Sequence, residues 1–273
     1  MLSKYEMNSQ EQATRALREV MQEIALAGLY RGDFFSKAAF YGGTCLRIFH
    51  QLPRFSEDLD FSLLADDPTF SLAPYFNAIK KEFDALGMGV IIKQKNKTAE
   101  TAIESAFLKN TTQLFDLALT GPQIVNIKFE VDTQPPLGFQ TEEKLLLEPF
   151  SFYVKCFSPS DLFAGKIHAL IFRKWKNRVK GRDWFDFEWY IRKGIPLNLD
   201  HFNRRAVQGG NIEQPITKIE FLPLLKERIK AVDINSARQD IRRFVTDAKV
   251  LDIWSSDYFL TLADKVKVIT HAD

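Results

Sequence analysis

From Glu57 to Leu64 the residues alternate, with Asp58, Asp60 and Ser62 on one side and Leu59, Phe61 and Leu63 on the other. That period of two is what a strand with one buried face requires. A second stretch, Ile124 to Asp132, repeats the pattern. It sets Asn126, Lys128, Glu130 and Asp132 opposite Val125, Ile127, Phe129 and Val131. Asp66-Asp67-Pro68 ends the first strand and Pro135-Pro136 the second, because proline cannot donate to a sheet ladder. Each strand therefore carries carboxylates on one face and bulky apolar groups on the other.

Helical patterns surround these strands. Apolar residues from Ala13 to Leu26 recur at helical spacing over about Ser9–Leu29, and Gly28 is expected to close that helix. Ala38–Tyr41 reads as a short strand, Gly42-Gly43 as a tight turn, and Thr44–His50 as a helix. A helix over Ser71–Leu86 and a strand over Val90–Lys93 follow. After Pro149 the pattern turns helical. Ser158-Pro159-Ser160 starts one helix, a second runs from about Asp183 to Arg192-Lys193-Gly194, and the chain from Gln214 onward is mostly helical. The reading is an α/β (α+β) fold, with a core over residues 1–150 and a helical region over 151–273.

Composition excludes several classes. A chain with 45% hydrophobic and 26% charged residues is globular rather than disordered or fibrous, and its 24 Phe point to bulky core filling. Cys45 and Cys156 lie in apolar runs with no short-spaced ligand partners, which argues against a zinc site or a disulfide framework. No apolar stretch approaches the roughly 20 residues of a membrane span, and Met1–Gln12 lacks the apolar core of a signal peptide. A cytoplasmic protein is expected. The net charge of +2 gives no global attraction to nucleic acid, but Arg173–Arg182 holds six basic residues in ten. Those six, Arg173, Lys174, Lys176, Arg178, Lys180 and Arg182, are candidates for phosphate contacts, and Trp175 among them is able to stack on a base.

Two short motifs carry chemistry. Gly42-Gly43 at a strand-to-helix junction allows close approach of a phosphate to backbone N–H groups and to the positive end of a helix dipole. Asp58 and Asp60, two positions apart on a strand, project to one face about 6.5 Å apart along the chain. They are able to share one magnesium ion or to bridge two ions roughly 4 Å apart. Read singly, the first is also an ordinary turn and the second an ordinary solvated pair. Their succession is what NTP chemistry needs.

The strings Gly42-Gly43-Thr44-Cys45-Leu46-Arg47 and Arg54-Phe55-Ser56-Glu57-Asp58-Leu59-Asp60-Phe61 resemble the signature of the abortive-infection nucleotidyltransferase toxins. This is the AbiEii/AbiGii family with its MenT relatives, within the polymerase-β-like nucleotidyltransferase superfamily. Lys166, then Arg173, then Arg182-Asp183-Trp184-Phe185-Asp186 resemble its lysine and arginine-aspartate motifs. The resemblance covers about residues 38–193. It implies a mixed β-sheet core with flanking helices, and a helical C-terminal half that completes the cleft. It also implies transfer of NMP from an NTP to an acceptor, RNA and by analogy tRNA, with magnesium, release of pyrophosphate and a cognate antitoxin.

The same resemblance gives Asp58 and Asp60 the metal and the acceptor hydroxyl, and Gly42, Gly43, Thr44 and Ser56 the phosphates. Lys166 is implied as a point charge on the triphosphate and Asp183 as its partner or a proton acceptor, with Asp186 structural or secondary. Glu130 is the expected third metal ligand, Asp132 its alternate, and Lys128 an alternative partner for either acid. His168, beside apolar residues, is expected to be structural. Three rival outcomes share these residues: adenylylation of a small molecule or protein hydroxyl, kinase-like phosphoryl transfer, and a silent nucleotide- or RNA-binding module.

Overall fold

A computed structural model describes residues 1–95, 112–120, 125–173 and 179–270. The chain divides into two compact units, the first comprising Met1–His50, Ser56–Pro135 and Thr141–Cys156. The second comprises Gln51–Phe55, Pro136–Gln140 and Phe157–Asp273.

The first unit is built on a mixed sheet of seven strands: β1 (Ala38–Tyr41), β2 (Asp58–Leu63), β3 (Val90–Lys95), β4 (Thr112–Leu119), β5 (Asn126–Asp132), β6 (Thr141–Leu146) and β7 (Phe152–Phe157). Their order is β3-β4-β5-β2-β1-β7-β6. The two alternating stretches become neighbours, β2 and β5 running parallel with Asp58 opposite Lys128 and Asp60 opposite Glu130. Ile124 lies outside the described residues. Leu59, Phe61, Ile127, Phe129 and Val131 are fully buried. The Phe61 ring lies 5.0 Å from Phe34, 5.2 Å from Phe40 and 6.4 Å from Phe129, centroid to centroid. Burying each such side chain contributes about 1.5–3 kcal/mol. A one-residue slip would put Asp58 and Asp60 into this aromatic layer, so the core fixes which face carries the carboxylates.

Helix α1 (Gln10–Arg31) starts where expected, with the Ser9 hydroxyl accepting from Gln12 N–H, but it does not close at Gly28. A Cβ built on Gly28 would lie 2.5 Å from the Cα of Ile79 in α3 (Phe76–Ala85). This glycine therefore serves close packing of two helices, and α1 continues to Arg31. α2 (Gly42–His50) begins at the first glycine of the expected turn. α3 is shorter than expected, because a 3-10 turn at Ala73–Tyr75 containing Pro74 precedes it. β4, β6 and β7 were not expected as strands. β7 enters the stretch read as helical, pairing parallel to β1 with Phe40 opposite Cys156.

The second unit is mainly helical: α4 (Pro159–Phe172), α5 (Gly181–Lys193), α6 (Leu199–Gln208), α7 (Lys218–Ala231), α8 (Ile234–Ile241) and α9 (Ser256–Ala263). A small parallel pair, β8 (Leu197–Asn198) and β9 (Val268–Ile269), joins them. Ser158 caps α4 by accepting from Asp161 N–H, and α5 ends at Gly194, both as the sequence predicts. Phe163 stacks on Tyr190 at 4.3 Å between centroids, fastening α4 to α5. Among the described residues no helix is long and apolar enough to cross a membrane.

Candidate active site

The charged face of the sheet in the first unit is set by register. Asp58 and Asp60 on β2 stand beside Lys128 and Glu130 on β5, and Asp116 on β4 stands opposite Lys128. Both β2 aspartates are half-buried. Lys128 pairs with Glu130 through a short Nζ–Oε1 contact. Burial pulls the Lys128 ammonium pKa down, but Glu130, Asp58 and Asp60 together outweigh burial and hold it above the ordinary lysine value.

The Gly42 turn backs directly onto this face. Gly42 has φ +82°, and a Cβ there would lie 2.1 Å from Asp60 Oδ2. Only glycine permits this contact. The Thr44 side chain is buried, and its hydroxyl donates to the Asp58 carbonyl, tying α2 to β2. Ser56 is buried as well, and the Gln22 side-chain amide of α1 donates to the carbonyls of Ser56 and Glu57 at 3.2 and 3.1 Å. Arg47 of α2 bonds Glu19 of α1 at 2.8 Å. The sequence pattern does not single out Glu19 and Gln22; with Glu23 they are the polar residues buried on α1.

Among the described residues no group of three or more His, Cys, Asp or Glu side chains could hold a metal ion. Two aspartates on one strand face nonetheless suit magnesium. Its hard-oxygen preference is met by one or two carboxylates, with substrate phosphates and water completing the shell. Asp58 and Asp60 fit that requirement, while Glu130 is paired with Lys128 and Asp132 lies two residues beyond Glu130 on the same face, opposite Ser62.

The second unit gathers its own charged cluster. Lys166 of α4 lies 3.0 Å from Asp183 and 2.8 Å from Asp186, both on α5. Arg173 reaches the other Asp183 oxygen at 3.0 Å, and Arg54 binds both oxygens of Asp186 at 2.6 Å. Burial acts to raise the Asp183 pKa, but Lys166, Arg173 and Lys180 overcome it and hold the carboxyl far below the usual range. Asp183 therefore stays ionised and is a weak proton acceptor near neutral pH. Burial likewise opposes, and Arg54 and Lys166 dominate, at Asp186, whose pKa is also lowered. In the sequence Arg54 stands only as part of a motif; its partner lies 132 residues away, beyond any local pattern.

Of the basic run, Lys174, Trp175, Lys176 and Arg178 lie outside the described residues. Arg173 belongs to the Asp183 cluster, and the Arg182 guanidinium lies 4.5 Å from the Phe244 ring centroid. Burial lowers the Lys180 pKa to about 8, with Arg173 adding to the effect. His168 Nε2 lies 2.9 Å from the side-chain oxygen of Asn211, and its ring packs beside Phe172 and Phe202.

Comparison with known proteins bears on this arrangement. The family model described as "Nucleotidyl transferase AbiEii toxin, Type IV TA system" matches residues 24–262. No curated protein matches the chain. Among solved structures, JHP933 from Helicobacter pylori is 17% identical with a TM-score of 0.54, over 92% of this chain and 90% of that one. MenT4, a nucleotidyltransferase toxin from Mycobacterium tuberculosis, is 15% identical with a TM-score of 0.58, over 97% of this chain and 92% of that one. At these identities the two structures speak for a shared fold.

Proposed function

The chain belongs to the AbiEii family of nucleotidyl transferase toxins of type IV toxin–antitoxin systems, and from that premise we propose a magnesium-dependent enzyme that moves NMP from an NTP onto RNA. The acceptor is tRNA by the family resemblance, the leaving group is pyrophosphate, and a cognate antitoxin is its partner. The observation that carries this reading is the contact between Gly42 and the Asp60 carboxylate, which leaves no room for a side chain. A turn suited to phosphate and a carboxylate suited to metal are thereby adjacent.

On this reading Gly42, Gly43 and the first N–H groups of α2 hold the triphosphate, while Thr44 and Ser56, expected on phosphate, are buried, with the Thr44 hydroxyl spent on the Asp58 carbonyl, and keep the turn and the start of β2 in place. Asp58 and Asp60 hold magnesium and orient the acceptor hydroxyl. When bound, the ion neutralises phosphate charge and eases loss of the hydroxyl proton. Lys166 supplies a point charge for phosphate and Asp183 orients it, consistent with the depressed pKa of that carboxyl. Lys180 and Arg182, the described residues of the basic run beyond Arg173, contact acceptor phosphates.

The test incubates the purified chain with each α-labelled NTP, magnesium and total tRNA, beside Asp60→Ala. Label on RNA with the intact chain alone supports the proposal and identifies the base. Label on protein or a small molecule instead moves the acceptor, and release of ADP identifies phosphoryl transfer. Nucleotide binding that survives Asp58→Ala, with no turnover by the intact chain, sinks the catalytic reading.

A further inference from the structure

Lys128 stands among the carboxylates of the candidate metal site. In register it lies beside Asp58 on β2 and Asp116 on β4, and it forms an ion pair with Glu130 two residues along its own strand. Its ammonium also lies in the field of Asp60. Its side chain is 34% exposed and that of Glu130 15%, so water screens this pair only in part.

These positions have a consequence for metal uptake. Asp58, Asp60 and Glu130 together carry three negative charges, and one positive charge is fixed among them. A divalent cation arriving at the aspartates meets that ammonium, and like charges a few ångströms apart repel strongly in a partly buried setting. The same ammonium keeps Glu130 occupied, so the carboxylate that strand parity offers as a third ligand is not free to turn to the metal.

We propose that Lys128 is a positioning residue, a tethered counter-cation that holds Glu130 out of the metal site and keeps the affinity for free divalent metal low. The inference rests on Asp58 and Asp60 being the metal ligands. It limits the protein's contribution to two carboxylates, leaving the remaining positions of the ion for nucleotide phosphates and water.

The experiment is calorimetric titration of the full-length chain with Mn2+, without nucleotide. The set is the unaltered chain, Asp60→Ala, Lys128→Met, Lys128→Gln, Lys128→Arg and the double variant Lys128→Met/Glu130→Gln. Removing the charge by either Met or Gln is expected to tighten Mn2+ binding about tenfold, the order of one unit charge removed at short range. Lys128→Arg keeps the original affinity, and the double variant loses the increase because neutralising Glu130 as well restores the net charge beside the aspartates.

Unchanged Mn2+ affinity in both Lys128→Met and Lys128→Gln, with binding still weakened by Asp60→Ala, overturns the role of Lys128 and leaves the aspartate site intact. Binding indifferent to Asp60→Ala overturns the aspartate assignment and this inference with it. Two neutral replacements at a one-third-exposed position guard against a single misfolded variant, and far-UV circular dichroism checks each.

Discussion

Arg54 meets Asp186 edge to edge, Nε on one carboxylate oxygen and Nη2 on the other, both at 2.6 Å, and their side chains are only 2% and 0% exposed. Bidentate geometry makes this pair strong, and burial makes it costly to break. Asp186→Ala would strand the Arg54 guanidinium and remove one of two partners from Lys166. The expected loss is about 3–5 kcal/mol of stability. Arg54→Met/Asp186→Leu is expected to be less destabilised than Asp186→Ala, since no unpaired guanidinium remains. Denaturant midpoints of the two variants check this, and a single variant within about 0.5 kcal/mol of the parent would mean the pair is idle.

The same cluster sets a pH dependence. Asp183 and Asp186 both have folded pKa values depressed below the unfolded value of about 3.9. In acid the unfolded chain therefore binds more protons than the folded one. The stability that these carboxylates contribute is complete above about pH 5 and drains as pH falls through and below the unfolded value. Thermal midpoints measured from pH 6 down to pH 2.5 should decline, and Asp183→Asn should flatten that acid limb. An equally steep limb in Asp183→Asn would assign the acid sensitivity elsewhere.

Legibility in the sequence followed burial. β2 and β5 each bury one face against aromatic side chains, so their period of two is strong, and parity placed Asp58 with Asp60 on one face of β2 and Lys128 with Glu130 on one face of β5, while the pairing of the two strands is tertiary. β6 sits at a sheet edge, where every residue is half or fully exposed and no apolar face remains to read. β4 carries Leu114, Phe115 and Leu117 in a nearly continuous apolar run, which has no clear period. β7 does alternate, with Phe152, Val154 and Cys156 buried around Tyr153 and Lys155, yet it lies in a stretch read as helical. Pairing of Lys166 with Asp183 came from the family motif, whereas Arg54 with Asp186 and Gln22 with the Ser56 carbonyl join residues that only tertiary folding brings together.

Gly28 offers a packing test. A methyl group there would press on the Ile79 backbone at 2.5 Å, so α1 and α3 would have to separate. Gly28→Ala is expected to cost about 1–3 kcal/mol through overpacking, despite alanine's better helix propensity. At Gly165 in α4 an added Cβ meets nothing within 4 Å, and Gly165→Ala should stabilise by up to about 1 kcal/mol. Opposite signs of the two shifts in thermal midpoint are the expected outcome. A neutral Gly28→Ala would show that α1 and α3 slide apart without penalty.

Gly42 tests the cradle itself. Its φ of +82° disfavours any side chain, and the Cβ of alanine would overlap Asp60 Oδ2 at 2.1 Å. Backbone strain of this kind costs about 1–3 kcal/mol, and the variant is expected to remain folded. The carboxylate cannot stay where it is, and a displacement near 1 Å in a reacting constellation lowers rates on the order of 100-fold. Gly42→Ala should therefore lose about two orders of magnitude in label transfer while its thermal midpoint falls only modestly. Mn2+ binding should weaken as well, because Asp60 is the atom group displaced. Reduced turnover with unaltered Mn2+ affinity would confine the role of Gly42 to phosphate, and turnover at the parental rate would remove the turn from the site.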